Sequence, residues 1–179
     1  DARIRGMRLV VVDPVCSTAA SKADEWLPIR PGTDGALALA MLNVLLNEVG
    51  IYDAEFIKKH TNGPYLVGPD GLYVRDQESQ KPQIWDSSAQ TAKPYDAPDV
   101  SDMAIEGTYT IQGKSCHPAF QLLKDHVKHY TPEEASKITT IPADTIRRIA
   151  KEYGTAASIG STIMIDGERL PYRPAAVHQ

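Results

Sequence analysis

Cysteine is scarce in this 179-residue sequence, with only Cys16 and Cys116, far apart along the chain. Such a pair builds no disulfide framework and no CxxC metal site. Each thiol reads as one that packs in a core or a loop. No apolar run approaches the roughly 18 residues that a membrane-spanning helix needs. Lys and Arg form no block, and the formal net charge is −4, which speaks against a nucleic-acid surface. The glycine-rich phosphate fingerprints, GxGxxG and GxxxxGK[ST], are both missing, which disfavours an ordinary NAD enzyme or a P-loop protein. The opening residues, DARIRGMR, are charged and do not read as a signal peptide. The first residue is not Met, and the sequence begins just before a strand, as a piece of a longer chain would.

What remains is an ordinary globular composition, 42% hydrophobic and 23% charged, long enough to bury a core without staples. Residues 7–12, MRLVVV, close on Asp13-Pro14. Three valines without alternation predict a parallel strand covered on both faces. Residues 17–23 are small and predict a short helix, and residues 26–29 a short strand limited by Pro28. Pro31-Gly32-Thr33-Asp34 opens the strongest helix, over residues 35–48, with Thr33 or Asp34 as its N-cap and Gly50 as its stop. It is apolar on nearly every side except at Asn43, Asn47 and Glu48, so it belongs between layers. Asp53 caps a short helix ending near His60.

Residues 61–113 are rich in Pro, Gly, Ser, Gln and Asp. They predict an irregular, mobile excursion with small hairpins, one of them over residues 109–114. Helices follow over residues 118–129, after the capping box at Thr131-Pro132-Glu133-Glu134, and from residue 140 to a stop at Gly154. Residues 156–165 are strand-like, and residues 171–174 extended. The fold class is thus α/β: a Rossmann-like parallel sheet with flanking helices, plus the excursion. Residues 1–60 and 114–179 form the α/β domain, and residues 61–113 an insertion within it.

Strand, Asp-Pro turn, helix, second strand, Gly-Thr-Asp, helix is a nucleotide-binding order, and ligands of open α/β sheets gather at the carboxyl ends of strands. Asp13 lies at one such end and Asp34 at the next, at a helix start. A carboxylate there accepts two parallel hydrogen bonds from a guanine edge or from ribose hydroxyls. The same residues also have plainer roles, Asp34 as a helix cap and Asp13 as the acceptor of an Asx turn. His126 and His129 share a helix face, but no third ligand stands at a recognisable spacing, so a solvated helix end is expected and no metal ligand is assigned. Tyr172 and Arg173, between prolines, either reach a ligand or build a turn.

The run VVVDPVCSTAASKADEWLPIRPGTDGALALAML closely resembles the third domain of the DMSO-reductase family of molybdopterin oxidoreductases. Its members read V-D-P-R, a small-residue helix, A-D and P-G-T-D-A-A-L at these distances. YTPEEASKITTIPADTIRRIAKEY is similar to a later family stretch, and DGERLPYRP to the family's anaerobic-dehydrogenase branch. The resemblance covers residues 7–57 and 120–174, and the middle matches only loosely.

The resemblance implies that this is an internal part of the large subunit of a molybdenum or tungsten enzyme. In the family this domain holds the guanosine end of one of two molybdopterin guanine dinucleotides. Asp13, Pro14, Gly32, Thr33 and Asp34 are implied as its contacts. Val15 stands where the family often has Arg, so a contact made by that Arg has no counterpart. No catalytic residue and no metal ligand is implied here, and the iron–sulfur cluster belongs outside this segment, which alone is expected to be inert. The implied partners are an iron–sulfur electron-transfer subunit and the remaining domains of the same large subunit. No contact of this segment with nucleic acid or membrane is expected, and the compartment, prokaryotic cytoplasm or periplasm, is left open. The competing reading is a non-catalytic nucleotide-binding or structural α/β module.

Overall fold

The structure, a computed structural model, describes residues 2–178. The chain divides into two compact units, one of residues 1–51 and 127–179, the other of residues 52–126.

The first unit is built on β1 (Val10–Val12) and β2 (Glu25–Leu27), paired in parallel with Val11 opposite Trp26. A short 3-10 turn, Ala20–Lys22, lies between them in place of the expected helix. Helix α1 (Asp34–Asn43) runs on into a π-helical turn, Val44–Glu48, and Gly50 follows as the expected stop. Helices α4 (Pro132–Thr139) and α5 (Ala143–Ala156) complete the layer. Their core joins Leu27 and Ile29, Leu37 and Ala40 of α1, and Ala135, Ile141, Ile146 and Ile149, with Val10 packed against it. Burying each Leu or Ile of this core contributes about 1.5–3 kcal/mol, and each Ala less.

The mixed helix and strand architecture is the expected α/β class, but two local expectations need correction. Among the described residues the parallel sheet is only two strands wide, and Val12 is 39% exposed. The valine run is therefore not covered on both faces here. Asn43, which interrupts the apolar run of the helix, lies inside the unit. It is buried, donates to the Tyr130 carbonyl at 3.2 Å and accepts from Asn47 Nδ2 at 3.0 Å, so its burial carries no unsatisfied amide. Gly154 does not end a helix. It lies inside α5, where an added Cβ would stand 2.6 Å from Leu45 Cδ2 and 3.2 Å from Ile51 Cγ2. A residue that breaks helices in isolation is retained here because two elements approach too closely for a side chain.

Half of the capping box is present: Pro132 opens α4 and the Glu134 N–H donates to the Thr131 hydroxyl oxygen at 3.3 Å, while the Glu134 carboxylate pairs with Lys137. Two antiparallel strands, β8 (Thr162–Ile165) and β9 (Glu168–Pro171), follow α5. Their turn holds Asp166 at φ 49° and Gly167 at φ 84°, the left-handed pair that a two-residue hairpin requires.

The second unit begins with α2 (Ala54–His60), capped as expected by Asp53, whose carboxylate accepts from the Phe56 N–H at 3.0 Å. Strands β3 (Leu66–Val67), β6 (Tyr109–Ile111) and β7 (Lys114–Pro118) form an antiparallel sheet in the order β3-β7-β6. Strands β4 (Gln83–Asp86) and β5 (Thr91–Pro94) make a separate hairpin, and α3 (Ala119–Val127) follows.

The unit is wider at both ends than the expected 61–113 excursion, because its flanking helices pack with it. Tyr52 packs on Phe120 with the rings tilted at 55° and their centroids 5.0 Å apart, Lys58 pairs with Asp102 at 2.7 Å, and Lys124 pairs with Glu106 at 2.8 Å. Tyr52 also donates its hydroxyl to Glu106 at 2.6 Å, and that bond and its burial push its pKa up to about 12. Asp86, fully buried, organises the hairpin by accepting from Lys93 Nζ at 2.9 Å and from the Ser88 N–H at 3.0 Å.

Candidate cofactor-binding site

Two connections leave the carboxyl edge of the β1–β2 pair, and the sequence-predicted residues lie on them. On the first, the Asp13 N–H continues the ladder by donating to the Leu27 carbonyl at 3.2 Å. The Asp13 carboxylate then accepts from the Val15 N–H at 3.0 Å, closing an Asx turn around exposed Pro14. That bond, with a second from the Ser17 hydroxyl, holds the Asp13 carboxyl below its ordinary pKa. The Trp26 indole N–H donates to the Asp13 carbonyl at 2.8 Å. Nothing in the sequence singles out Trp26 for this role, since only the parallel register of β1 on β2 brings it to Asp13.

The second connection runs from Ile29 through Pro31 and Gly32 to α1. Gly32 has φ 74° with no atom within 4 Å of where a Cβ would be, so the turn takes a conformation that other residues adopt at a cost and leaves its outer side clear. Thr33 occupies the N-cap position, but its hydroxyl donates to the Arg30 carbonyl at 2.7 Å and no side chain caps α1. Asp34 is the first residue of the helix and is exposed. Among the described residues its carboxylate takes part in no hydrogen bond and no ion pair. Of the two plain roles, the Asx turn at Asp13 is observed and the cap at Asp34 is not.

No hydrogen bond joins the Asp13 turn to residues 32–34 among the described residues. The two connections share an edge and remain independent of each other. At that edge stand an exposed carboxylate, an uncapped helix start that favours anions and hydrogen-bond acceptors, and a glycine turn open to solvent. This arrangement can accept a pair of donors from a planar polar ring and can admit a ligand close to the backbone.

The remaining candidates lie elsewhere. His126 and His129 are exposed, and among the described residues no group of three or more His, Cys, Asp or Glu is placed to hold a metal ion. Arg173 donates to the Ser161 carbonyl at 3.1 Å and the Tyr172 carbonyl at 2.8 Å, which ties the base of the β8–β9 hairpin. Cys116 is buried, and burial raises its thiol pKa; Cys16 is exposed. No helix is long and apolar enough to cross a membrane, among the described residues.

No protein-family profile matches the chain. One subunit of the sulfite dehydrogenase of Allochromatium vinosum is 40% identical over 167 residues, covering 86% of this chain and 17% of that protein. The alpha subunit of the perchlorate reductase of Dechloromonas aromatica is 35% identical over 199 residues, covering 87% of this chain and 21% of that protein. The solved structure of acetylene hydratase from Pelobacter acetylenicus superposes with a TM-score of 0.49 at 26% identity, covering 89% of this chain and 14% of that one. The chain thus spans about a fifth of the length of the curated relatives it matches. The chain belongs to the DMSO-reductase family of molybdopterin oxidoreductases.

Proposed function

We propose that this chain is a segment of the catalytic subunit of a molybdenum or tungsten oxidoreductase, and that it binds the guanosine end of a molybdopterin guanine dinucleotide. The observation that carries the reading is the Asp34 carboxylate, exposed and unpartnered at the start of an uncapped helix. A guanine edge presents N1–H and N2–H₂ side by side, and an ionised carboxylate accepts both. The open turn at Gly32 and the Asp13-Pro14 turn on the same edge leave room for the ribose beside it. Asp13 itself shapes the wall rather than accepting from the base, because its carboxylate is already engaged by Val15 and Ser17. The residues present therefore fit the nucleoside.

When bound, the metal and its pterin supply two-electron oxidoreduction or oxygen-atom transfer, and this chain holds the cofactor tail in place. An iron–sulfur cluster and an electron-transfer subunit belong to the proposed parent enzyme, outside this chain.

The test is Asp34→Asn in the intact parent enzyme. Asn replaces one acceptor with a donor facing the guanine donors. A charge-assisted bond is worth about 1.5–3 kcal/mol, so cofactor retention should weaken by roughly ten- to a hundredfold. Thermal stability should move little, since no cap is lost. The measurement is metal and pterin content after dialysis, with a thermal melt beside it. Full occupancy after that challenge would remove Asp34 from the site.

A further inference from the structure

Trp26 stands in the middle of β2, between Glu25 and Leu27. Leu27 enters the core, and Glu25 pairs with Arg148 of α5. Side chains alternate between the faces of a strand, so Trp26 projects from the face opposite to these two. It remains 36% exposed. Burial thus leaves part of a large aromatic ring unused at a position where a β-branched residue would serve the strand. What Trp adds there is a single hydrogen-bond donor, and that indole N–H donates to the Asp13 carbonyl at 2.8 Å.

Asp13 is held from three sides. Its N–H donates to the Leu27 carbonyl at 3.2 Å, its carboxylate accepts from the Val15 N–H at 3.0 Å, and its carbonyl accepts from Trp26. The first bond ends the strand ladder and the second closes the turn. The third acts on the peptide between Asp13 and Pro14. Pro14 has no N–H, so the Asp13 carbonyl is the one hydrogen-bonding group that this peptide offers. Because the peptide is planar, a bond to its oxygen restrains the plane that carries Pro14. Strand β2 also leads, through Ile29 and Pro31, into the connection that carries Gly32 and Asp34. The Trp26 bond therefore ties the first connection to the strand from which the second departs.

We propose that Trp26 is a positioning residue for the nucleoside end of the cofactor: by anchoring the Asp13–Pro14 peptide to β2, it keeps the turn that walls the site in register with the connection that carries Asp34. This rests on the guanosine reading. Trp26 acts through the Asp13 carbonyl and touches no reacting group.

The test uses the intact catalytic subunit with its cofactor bound. Trp26→benzothienylalanine keeps the bicyclic ring and carries sulfur in place of the N–H, and Trp26→Phe removes the N–H with half of the ring. Guanine and metal content are followed during dialysis in mild denaturant, with a thermal melt beside them. Both enzymes should lose cofactor faster by roughly two- to tenfold, the range of one neutral hydrogen bond. In the benzothienylalanine enzyme the melting temperature should not move. Asp13→Ala opens the turn by removing its acceptor, and on that background the Trp26 change should add little, since both act on the same turn. Loss from the benzothienylalanine enzyme at the unaltered rate overturns the proposal. So does faster loss that comes with a lowered melting temperature and adds in full to that of Asp13→Ala, which makes Trp26 a support of the fold alone. The Asp34→Asn enzyme separates the two readings. If it loses cofactor while the Trp26 variants retain theirs, the role of Trp26 fails and the guanosine reading stands. If it retains cofactor while the Trp26 variants lose theirs, the Asp34 contact fails and the role of Trp26 stands.

Discussion

Arg148 of α5 meets the Glu25 carboxylate of β2 through both Nη atoms, one of them at 3.1 Å from Oε2. The same guanidinium reaches Glu152 at 3.1 Å, and Arg8 closes a ring by pairing with Glu25 at 2.5 Å and with Glu152. Four alternating charges thus join the residues before β1, β2 itself and the outer face of α5. Hydrogen bonding from Arg148 holds the Glu25 carboxyl below its ordinary pKa.

A folded-state pKa lowered in this way contributes stability above the ordinary glutamate value, and that contribution is lost as pH falls through the lowered one. Glu25→Gln should cost about 1 kcal/mol at neutral pH, the upper end for a partly exposed network. Urea unfolding of both proteins at neutral pH and at about pH 3 checks the sign. The gap between them should shrink in acid, and a gap that stays constant would mean the ring contributes nothing through charge.

Asp86 presents a buried case. Lys93 beside it, with the Ser88, Ser101 and Asp102 N–H groups, holds its carboxyl far below the usual range against the effect of burial. Asp86→Asn leaves the Lys93 ammonium facing a neutral amide on its buried side, with the exposed Asp99, at 3.0 Å, as its remaining charged partner among the described residues. It should lower the melting temperature more than Glu25→Gln does, since removing one partner of a buried pair costs more than removing one at the surface. Calorimetry on the two variants side by side settles the order.

Gly154 predicts a steric effect of opposite origin. Alanine inside a helix gains about 1 kcal/mol over glycine, yet here its Cβ would press on Leu45. Gly154→Val should destabilise by about 1–3 kcal/mol, as overpacking does. Adding Leu45→Ala should return part of the loss that Gly154→Val causes, and strict additivity of the two changes would argue against the contact.

Much of this architecture is legible in short-range chemistry. The Asp53 and Thr131 caps, the glycine after the π turn, the valine strand and the residue 109–114 hairpin each depend on neighbours within a few positions. The β8–β9 hairpin carries an equally local signal, Asp166-Gly167 between apolar residues, which a reading of residues 156–165 as one strand passes over. What is not legible depends on distant pairs. Gly154 reads as a stop until Leu45 is placed against it. Asp86 reads as a loop residue until Ser101 and Asp102 come back to it. The extent of the second unit follows from contacts such as Lys124 with Glu106. At the candidate site the sequence puts the residues on both connections and offers each aspartate a plain role beside a ligand role, an Asx turn for Asp13 and a helix cap for Asp34. Only the backbone shows that one carboxylate is engaged by its own turn and the other is not.

The π-helical turn at Val44–Glu48 gives α1 a reserve of length. There the Val49 N–H reaches the Val44 carbonyl and the Ile51 N–H the Leu45 carbonyl, at 3.0 and 2.8 Å, so one residue more than an α-turn holds is wound into the helix end. A deletion of one residue at this point would let the hydrogen bonds close as an ordinary α-turn. Everything downstream would then stay in step, with Ile51 still facing Gly154. Elsewhere in α1 a lost residue would displace the core face itself. A single-residue length change in this helix is therefore best absorbed at its last turn, where the surplus already lies.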